Sequence, residues 1–228
     1  MRLNNLENEL ITNPTPRVPV CLCLDTSGSM SGAPINELNA GVRLFYESVR
    51  ADDMACASAD ICIVSFGCDG VKTIQKFSGI RKVSVPPTMG AGGMTPMGEA
   101  VNLGLDLLEA RKDAYKKAGV DYYQPWLVMM SDGMPNGDAR EFERARLRIV
   151  DMLNNKKLTV FAIGIGLDAD MKALQYLSPK RSPRRLKGLK FREFFTWLSQ
   201  SVARVSVSQP GEDNVKLDIE GLNDWSTL

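Results

Sequence analysis

The chain has 228 residues, of which 44% are hydrophobic and 24% are charged. This length and composition allow one substantial hydrophobic core, so we expect a single α/β domain with terminal arms. The formal net charge is +1, which gives no general reason to expect binding to nucleic acid or to an anionic membrane surface.

Strand and helix patterns alternate along the first half of the chain. Short apolar runs predict strands at 18–24 and 59–66, and a more alternating run at 71–77 predicts an antiparallel strand at the edge of the sheet. Between the first two strands, apolar residues recur at helical spacing and Pro34 stands near the start, so a helix is predicted at 34–49.

The second half continues the alternation after a loop at 85–100 that is rich in proline and glycine. This loop leads into a helix that is predicted to end near Gly119. The remaining predicted elements are a strand at 125–133, a charged amphipathic helix at 138–157, a strand at 158–166, a short helix at 169–177, a last strand at 184–189 and a final helix at 191–205.

Strands that are apolar on both faces and alternate with helices favour a parallel sheet covered on both sides. We therefore predict a Rossmann-like, doubly wound α/β fold with a mostly parallel central sheet and one antiparallel edge strand. In such sheets, ligands bind beyond the carboxyl ends of the strands. We place the domain at 17–205, between an N-terminal arm at 1–16 and an acidic C-terminal tail at 206–228.

The charge is uneven near the C-terminus. Seven basic residues and no acidic residue lie between Lys180 and Arg192, whereas 206–228 holds five acids and one lysine. The tail can lie against a basic face of its own domain or extend into solvent, and the sequence leaves both arrangements open.

The cysteines and the lack of histidine argue against the common zinc sites. None of the five cysteines forms a CxxC pair, and the chain has no histidine. Cys21 and Cys23 lie two apart on a predicted strand, so they face the same side and cannot readily form a disulfide with each other. No apolar run approaches the roughly 20 residues that span a bilayer, and the N-terminal stretch is not a signal peptide, so we expect a cytoplasmic protein with reduced cysteines.

Oxygen-bearing side chains lie at the ends of three predicted elements. The first strand is followed by Asp25, Ser27 and Ser29. The glycine-rich loop places Thr95 before a helix, and Asp132 follows another buried strand. If the strands are parallel and adjacent, these residues converge at one edge of the sheet. Two carboxylates and three hydroxyls suit Mg²⁺ or Mn²⁺ better than Zn²⁺, with Ca²⁺ less expected.

We predict that the metal in a site of this kind binds an acidic group of a protein partner. Two carboxylates neutralise a divalent cation without surplus negative charge, and hydroxyls are weak donors, so the metal stays electrophilic. Five side chains rarely all bind directly within one octahedron, so at least one exchangeable position remains. A carboxylate of a partner can take that position in a charge-assisted contact.

The stretches that hold these residues resemble those of a known family. DTSGS at 25–29, with Thr95 in GGMTPMGEA and Asp132 in MMSDGMPNG, resembles the von Willebrand factor A (vWA) domain. In that family, a DxSxS pattern, a distant Thr and a distant Asp form the metal-ion-dependent adhesion site (MIDAS). The resemblance covers roughly 17–204. PINELNAG and GMTPMGEA further resemble the bacterial TerY-type branch, stand-alone cytoplasmic A domains associated with resistance to tellurite and chemical stress.

The resemblance implies the vWA fold, a role for each site residue and a binding module rather than an enzyme. Ser27 and Ser29 would bind the cation directly through their hydroxyls. Asp25 and Asp132 would bind directly or through water, and Thr95 would enter or leave with conformational state. In the family, motion of the C-terminal helix can couple to the metal, which makes the last predicted helix the candidate here.

Three other interpretations account for parts of the same sequence. The site residues can be plain helix caps and turn residues. The LDTSG stretch is superficially similar to haloacid-dehalogenase phosphatases, which would make the chain a Mg²⁺-dependent phosphotransfer enzyme, but Ser27 stands where the general acid should be. The basic run from Lys180 to Arg192 allows nucleic-acid binding, although it holds few aromatic residues.

Methionines flank the predicted metal edge in the sequence. They are Met89, Met94, Met97 and Met134. A soft, adaptable rim of methionine suits partner binding, and gap-filling in the core accounts for the same residues equally well.

Overall fold

The strands of the computed structural model, which describes residues 12–210 and 221–227, form one sheet. They are β1 (Val18–Thr26), β2 (Ala59–Gly67), β3 (Gly70–Gly79), β4 (Trp126–Ser131), β5 (Thr159–Ile165), β6 (Arg184–Leu186) and β7 (Ser226–Thr227). Within the described residues, the sheet has seven strands in the order β3-β2-β1-β4-β5-β6-β7. The first strand in sequence therefore lies inside the sheet, between β2 and β4.

The strand pairs in the interior of this sheet are parallel. β1 pairs with β2 and with β4, β4 pairs with β5, and β5 pairs with β6, all in parallel register. β3 pairs antiparallel with β2, as predicted. The predicted Rossmann-like fold with a mostly parallel central sheet is confirmed. The structure adds β7, a short strand that pairs antiparallel with β6 at the opposite edge and was not predicted.

Helices cover both faces of the sheet. They are α1 (Ala33–Ala51), α2 (Asp53–Ser58), α3 (Met97–Ala118), α4 (Ala139–Asn154), α5 (Met171–Leu177), α6 (Phe191–Ser206) and α7 (Leu222–Trp225). Aspartate caps begin three of them: Asp52 accepts from the Ala55 amide in α2, Asp138 accepts from the Arg140 amide in α4, and Asp170 accepts from the Lys172 amide in α5. Gly119 follows the last residue of α3, and its φ of 66° is the left-handed conformation that favours glycine. The short helices α2 and α7 were not predicted.

β1 is buried on both faces because helices pack on each side of it. Val20, Leu22 and Leu24 belong to the core cluster that includes residues of α1 and α6. Cys21 and Cys23 point to the other face, into the cluster with α3 and α4, and their sulfurs lie 3.9 Å apart. This two-sided burial explains why the strand is a continuous apolar run rather than an alternating one.

Part of the C-terminal tail packs on the domain. Trp225 is buried, and the centre of its ring lies 4.9 Å from that of Phe194 and 5.5 Å from that of Trp197, both on α6. The described part of the tail therefore lies against its own domain through an aromatic contact. The rest of the tail and most of the predicted N-terminal arm lie outside the described residues, and the predicted domain boundaries stay a prediction.

Candidate metal centre

The carboxylate of Asp25 lies at the carboxyl end of β1 and is fully buried. One of its oxygens accepts the Ser27 amide at 2.8 Å, and the other accepts the hydroxyl of Ser131, the last residue of β4. Leu24 pairs with Met130 in the parallel register, so β1 and β4 end side by side. Asp25 therefore links the ends of two strands and fixes the turn that follows β1.

The two serines of that turn form a row of oxygens with Asp132. A 3₁₀ turn at Gly28–Met30 follows Ser27. Ser27 Oγ and Ser29 Oγ are 3.1 Å apart, and the Ser29 hydroxyl donates to Asp132 Oδ1 at 2.8 Å. Ser27 is buried, Asp132 is half-buried and Ser29 is exposed. We call Ser27, Ser29 and Asp132 the oxygen row; it runs from the interior of the domain to the surface.

The glycine-rich loop is attached to the same turn by backbone hydrogen bonds. The Gly92 amide donates to the Thr26 carbonyl at 2.9 Å, and the Gly28 amide donates to the Gly93 carbonyl at 3.2 Å. Gly93 has a φ of 73°, and a Cβ there would lie 2.5 Å from the carbonyl oxygen of Gly67. Glycine is therefore required at 93, since both the backbone conformation and the close approach of β2 exclude a side chain.

Gly133 shows how close Thr95 lies to the oxygen row. A Cβ at Gly133 would lie 3.6 Å from Thr95 Oγ1 and 3.8 Å from Ser29 Oγ. The hydroxyls of Thr95 and Ser29 therefore both lie beside Gly133. The structure brings all five predicted site residues to one place: Asp25, Ser27, Ser29, Thr95 and Asp132. Their role as metal ligands stays a prediction.

Two asparagines that the sequence analysis did not single out hold the glycine-rich loop in place. The side chain of Asn136 accepts from the Thr95 amide, and the Asn136 amide donates to the Thr95 carbonyl at 3.1 Å. Asn39, on α1, donates to the Met89 carbonyl and accepts from the Met89 amide, both at 2.8 Å. Asn136 lies in the quoted MMSDGMPNG stretch and Asn39 lies in the quoted PINELNAG stretch, but nothing in either stretch indicates which loop residue the asparagine side chain binds.

Burial raises the pKa of Asp25 from 3.8 to about 6. The hydrogen bonds from Ser131 and Ser27 act in the opposite direction, and the negative charge of Asp132 raises the pKa further. The ionised carboxylate is therefore unfavourable in its own surroundings. A positive charge beside Asp25 and Asp132 would relieve that cost.

The oxygen row is compatible with a cation of the size of Mg²⁺. At Mg–O distances of about 2.0–2.1 Å, adjacent ligands of an octahedron are about 2.9 Å apart, whereas Ca²⁺ at about 2.3–2.6 Å spreads them to about 3.3 Å or more. The separations of 3.1 and 2.8 Å in the row are those of the hydrogen bonds that join these groups, and they place the oxygens close enough to surround one small cation. In the part of the chain that the structure describes, no group of three or more His, Cys, Asp or Glu is arranged to hold a metal ion. A cation here would depend on hydroxyl oxygens as well as on the two carboxylates.

No protein-family model matches the sequence, and no curated protein sequence matches it. Solved structures do match. The von Willebrand factor type A structure from Catenulispora acidiphila is 15% identical with a TM-score of 0.62, over 83% of this chain and 43% of that one. The pilus adhesin SpaC from Lactobacillus rhamnosus GG is 15% identical with a TM-score of 0.62, over 83% of this chain and 31% of that one. Proximal thread matrix protein 1 from the mussel byssus is 19% identical with a TM-score of 0.52, over 82% of this chain and 48% of that one, in a structure whose MIDAS motif is occupied by zinc.

These similarities establish that the chain has the vWA fold. The identities of 15% and 19% support the fold alone, so they do not transfer a ligand or an activity. The chain spans less than half the length of each of these structures: 43% of the Catenulispora acidiphila structure, 31% of SpaC and 48% of the mussel protein.

Proposed function

We propose that this chain is a protein-interaction module that binds its partner through a divalent cation. Asp25, Ser27, Ser29, Thr95 and Asp132 would hold the cation. The observation that carries the proposal is the oxygen row, in which the exposed Ser29 hydroxyl meets Asp132, 103 residues further along the chain, at 2.8 Å. We expect Mg²⁺ or Mn²⁺ at this site, and weaker binding of Ca²⁺.

The division between buried and exposed oxygens supports binding of a partner at the surface. When bound, the cation supplies a positive centre to which an acidic side chain of the partner binds in a charge-assisted contact. Asp25 is buried and accepts the Ser27 amide in the turn after β1, whereas Ser29 and Asp132 reach solvent. The two carboxylates balance a divalent charge and leave no surplus negative charge to repel the partner's carboxylate.

The shared fold also supports the choice of a divalent cation. The mussel protein with the same fold has been solved with zinc in its MIDAS motif. In this chain, the corresponding DxSxS pattern, threonine and aspartate meet at one edge of the sheet. We therefore propose that the site is a MIDAS.

Calorimetric titration with Mg²⁺ and with Mn²⁺ tests the metal site. We expect one site per chain, and Ser29→Ala and Asp132→Asn should each weaken the affinity for the cation by about tenfold or more, because each removes an oxygen of the row. Ser182→Ala and Asp121→Asn change exposed residues that precede β6 and β4, at the other end of the sheet, and serve as matched controls. Equal affinity in the site variants and the controls would overturn the proposal.

Small carboxylates test whether a coordination position is open to a partner. With Mn²⁺ bound, the relaxation rate of water protons reports water that exchanges at the metal. Acetate added at millimolar concentration should lower this relaxation enhancement, because the carboxylate displaces exchangeable water. Acetamide, which has the same shape without the charge, is the control and should leave the rate unchanged. If acetate also leaves it unchanged, the open position is ruled out.

We do not propose an enzymatic activity. A phosphotransfer reaction at Asp25 would need a second acidic group two residues later, where this chain has Ser27. Nucleic-acid binding by the basic run is not favoured either, since members of that run serve the fold. Arg181 lies over the ring of Phe161 and Arg185 donates to the carbonyl of Gly166.

The cellular setting is part of the proposal and rests on the sequence resemblance. The PINELNAG and GMTPMGEA stretches favour a cytoplasmic, bacterial, TerY-type module that acts in resistance to tellurite or chemical stress. In the described ranges 12–210 and 221–227, no helix has the length and apolar character to cross a membrane. Tellurite sensitivity of a deletion strain, tested with restoration by the wild-type chain and by its Asp132→Asn variant, would examine this setting.

A further inference from the structure

Two exposed methionines lie directly beside the candidate metal centre. Met94 precedes Thr95 in the glycine-rich loop and is 60% exposed, and Met134 follows Gly133 and is 70% exposed. Thr95 Oγ1 lies 3.6 Å from the position that a Cβ at Gly133 would occupy, so the two loops that carry the methionines meet at the site. We call Met94 and Met134 the methionine pair.

The pair differs from the other methionines at this edge of the sheet. Met89 and Met97, which the sequence analysis grouped with the pair, are buried at 7% and 1% exposure and belong to the two core clusters. Gap-filling in the core therefore accounts for Met89 and Met97 but not for the methionine pair. Exposed, flexible apolar side chains around a binding position are typical of a surface that a partner covers.

The charges around the site indicate what else the partner presents. Asp69 and Asp168 are exposed in the turns after β2 and β5, at the same edge of the sheet as Asp132. Asp69 is paired with Lys72 at 3.1 Å, and the guanidinium of Arg185 donates to the carbonyls of Gly166 and Ala169 on either side of Asp168. Each of these two turns therefore holds a basic group beside its acid, and the turns offer a strongly acidic partner no surplus of positive charge beyond the cation itself.

We propose that the partner segment carries one acidic residue flanked by large apolar residues. The acidic side chain would bind the cation, and the apolar neighbours would pack on the methionine pair. The inference rests on the proposed function and deepens it, because it specifies the residues next to the acid. The apolar contacts supply affinity that a single carboxylate lacks, and they distinguish this partner from free acids and acidic tails.

Capped pentapeptides test this inference without knowledge of the natural partner. The probes are Gly-Gly-Asp-Gly-Gly, Gly-Leu-Asp-Leu-Gly, Gly-Leu-Asn-Leu-Gly and Gly-Asp-Asp-Asp-Gly, added to protein in Mg²⁺ with carbon-labelled methionine methyl groups. Methyl NMR detects weak binding and reports where it occurs. We expect Gly-Leu-Asp-Leu-Gly to bind about tenfold more tightly than Gly-Gly-Asp-Gly-Gly and to shift the Met94 and Met134 signals.

Variants of the methionine pair provide the matched comparison. The double variant Met94→Gln, Met134→Gln should bind Gly-Gly-Asp-Gly-Gly and Gly-Leu-Asp-Leu-Gly with equal affinity, while its affinity for Mg²⁺ stays that of the wild type. Met54→Gln changes a methionine that is 45% exposed on α2, at the amino end of the sheet, and should keep the tenfold preference. Retention of the preference in the double variant would contradict the inference.

The outcomes separate this inference from the proposed function. Equal binding of the two single-aspartate peptides, lost in EDTA, overturns the inference and leaves the proposed function intact. Tightest binding of Gly-Asp-Asp-Asp-Gly also overturns the inference, since it indicates an acidic partner. Binding that persists in EDTA, equal binding of the asparagine peptide, or no binding of any aspartate peptide at millimolar concentration overturns both.

Discussion

The Asn136 amide donates to the Thr95 carbonyl at 3.1 Å, and the Asn136 side chain accepts from the Thr95 amide in return. Through this reciprocal pair, the loop after β4 holds the glycine-rich loop at the threonine itself. The loop after β4 also carries Asp132. The position of Thr95 relative to Asp132 is therefore set by the side chain of a third residue, which makes Asn136 a positioning residue for the candidate metal centre.

Removal of the Asn136 side chain should weaken cation binding without removing any of the five site residues. Asn136→Ala leaves the Thr95 amide without its side-chain acceptor, at a cost of about 1–3 kcal/mol if the amide finds no other partner. We expect Mg²⁺ affinity to fall severalfold by calorimetry. Asn136→Asp keeps the acceptor oxygen and should recover part of the loss.

Asn155→Ala is the matched control for this prediction. Asn155 follows α4 and bonds to Asp151, so its loss affects a helix end away from the site. It should leave Mg²⁺ affinity unchanged. A fall of equal size in Asn155→Ala and Asn136→Ala would mean that general destabilisation, and not the position of Thr95, sets the affinity.

Replacement of Gly93 by alanine should disturb the glycine-rich loop. The φ of 73° is unfavourable for alanine, and the new Cβ would lie 2.5 Å from the carbonyl oxygen of Gly67, so the loop must shift. We expect a loss of about 1–3 kcal/mol in the free energy of unfolding and weaker Mg²⁺ binding. Gly90→Ala is the control, because its Cβ would meet nothing within 4 Å. Similar stability of the two variants in urea would contradict the close approach seen at 93.

Neutralisation of Asp25 should stabilise the metal-free protein at neutral pH. The pKa rises from 3.8 to about 6 on folding, so ionised Asp25 costs the folded state up to about 3 kcal/mol. Because the pKa is higher in the folded state, protonated Asp25 makes its full contribution to stability below pH 3.8. This contribution is lost as the pH rises through about 6 and the carboxyl ionises. In EDTA, Asp25→Asn should exceed the wild type in unfolding free energy at pH 7.5, and the difference should shrink towards pH 4.

Mg²⁺ should raise the melting temperature of the wild type but not that of Asp25→Asn. The cation stabilises the folded wild type by binding it, whereas Asp25→Asn has lost a carboxylate of the site and should show little or no shift in its melting temperature. Thermal unfolding of both proteins in EDTA and in millimolar Mg²⁺ at pH 7.5 measures this. A wild-type protein that is no more stable in Mg²⁺ than in EDTA would argue against the metal site itself.

Truncation of Trp225 should destabilise the domain although the residue lies in the predicted tail. Its ring is 1% exposed and contacts Phe194 and Trp197 on α6, so Trp225→Ala should cost about 2–4 kcal/mol in chemical unfolding. Thr227→Ala, an exposed substitution in β7, should cost less than about 0.5 kcal/mol. A cost for Trp225→Ala as small as that for Thr227→Ala would show that the tail contact does not stabilise the domain in solution.

The sequence alone was sufficient to predict the architecture. Continuous apolar strands such as β1, alternating with amphipathic helices such as α4, indicated a parallel sheet covered on both faces, because burial on both faces removes the polar positions of a strand. The convergence of Asp25, Ser27 and Ser29 with Thr95 and Asp132 also followed, since parallel strands deliver their carboxyl ends to one edge.

Other features of the site depended on contacts between distant parts of the chain. The role of Asn136 arises from the way two loops meet, and the raised pKa of Asp25 arises from complete burial of a residue that a pattern alone places at a strand end. The docking of Trp225 and the added strand β7 come from a segment whose acidic composition suggested solvent as readily as contact.

Residue type and local spacing thus determined which elements form and which side chains stand at their ends. Tertiary structure decided which of those side chains are buried, which are paired and which stay exposed, as the division between Met97 in the core and Met94 at the surface shows. The physical reason is the distance along the chain between interacting residues. Periodicity reports the surroundings of a residue within its own helix or strand. Loop contacts and burial depend on residues that come together only when the sheet has assembled.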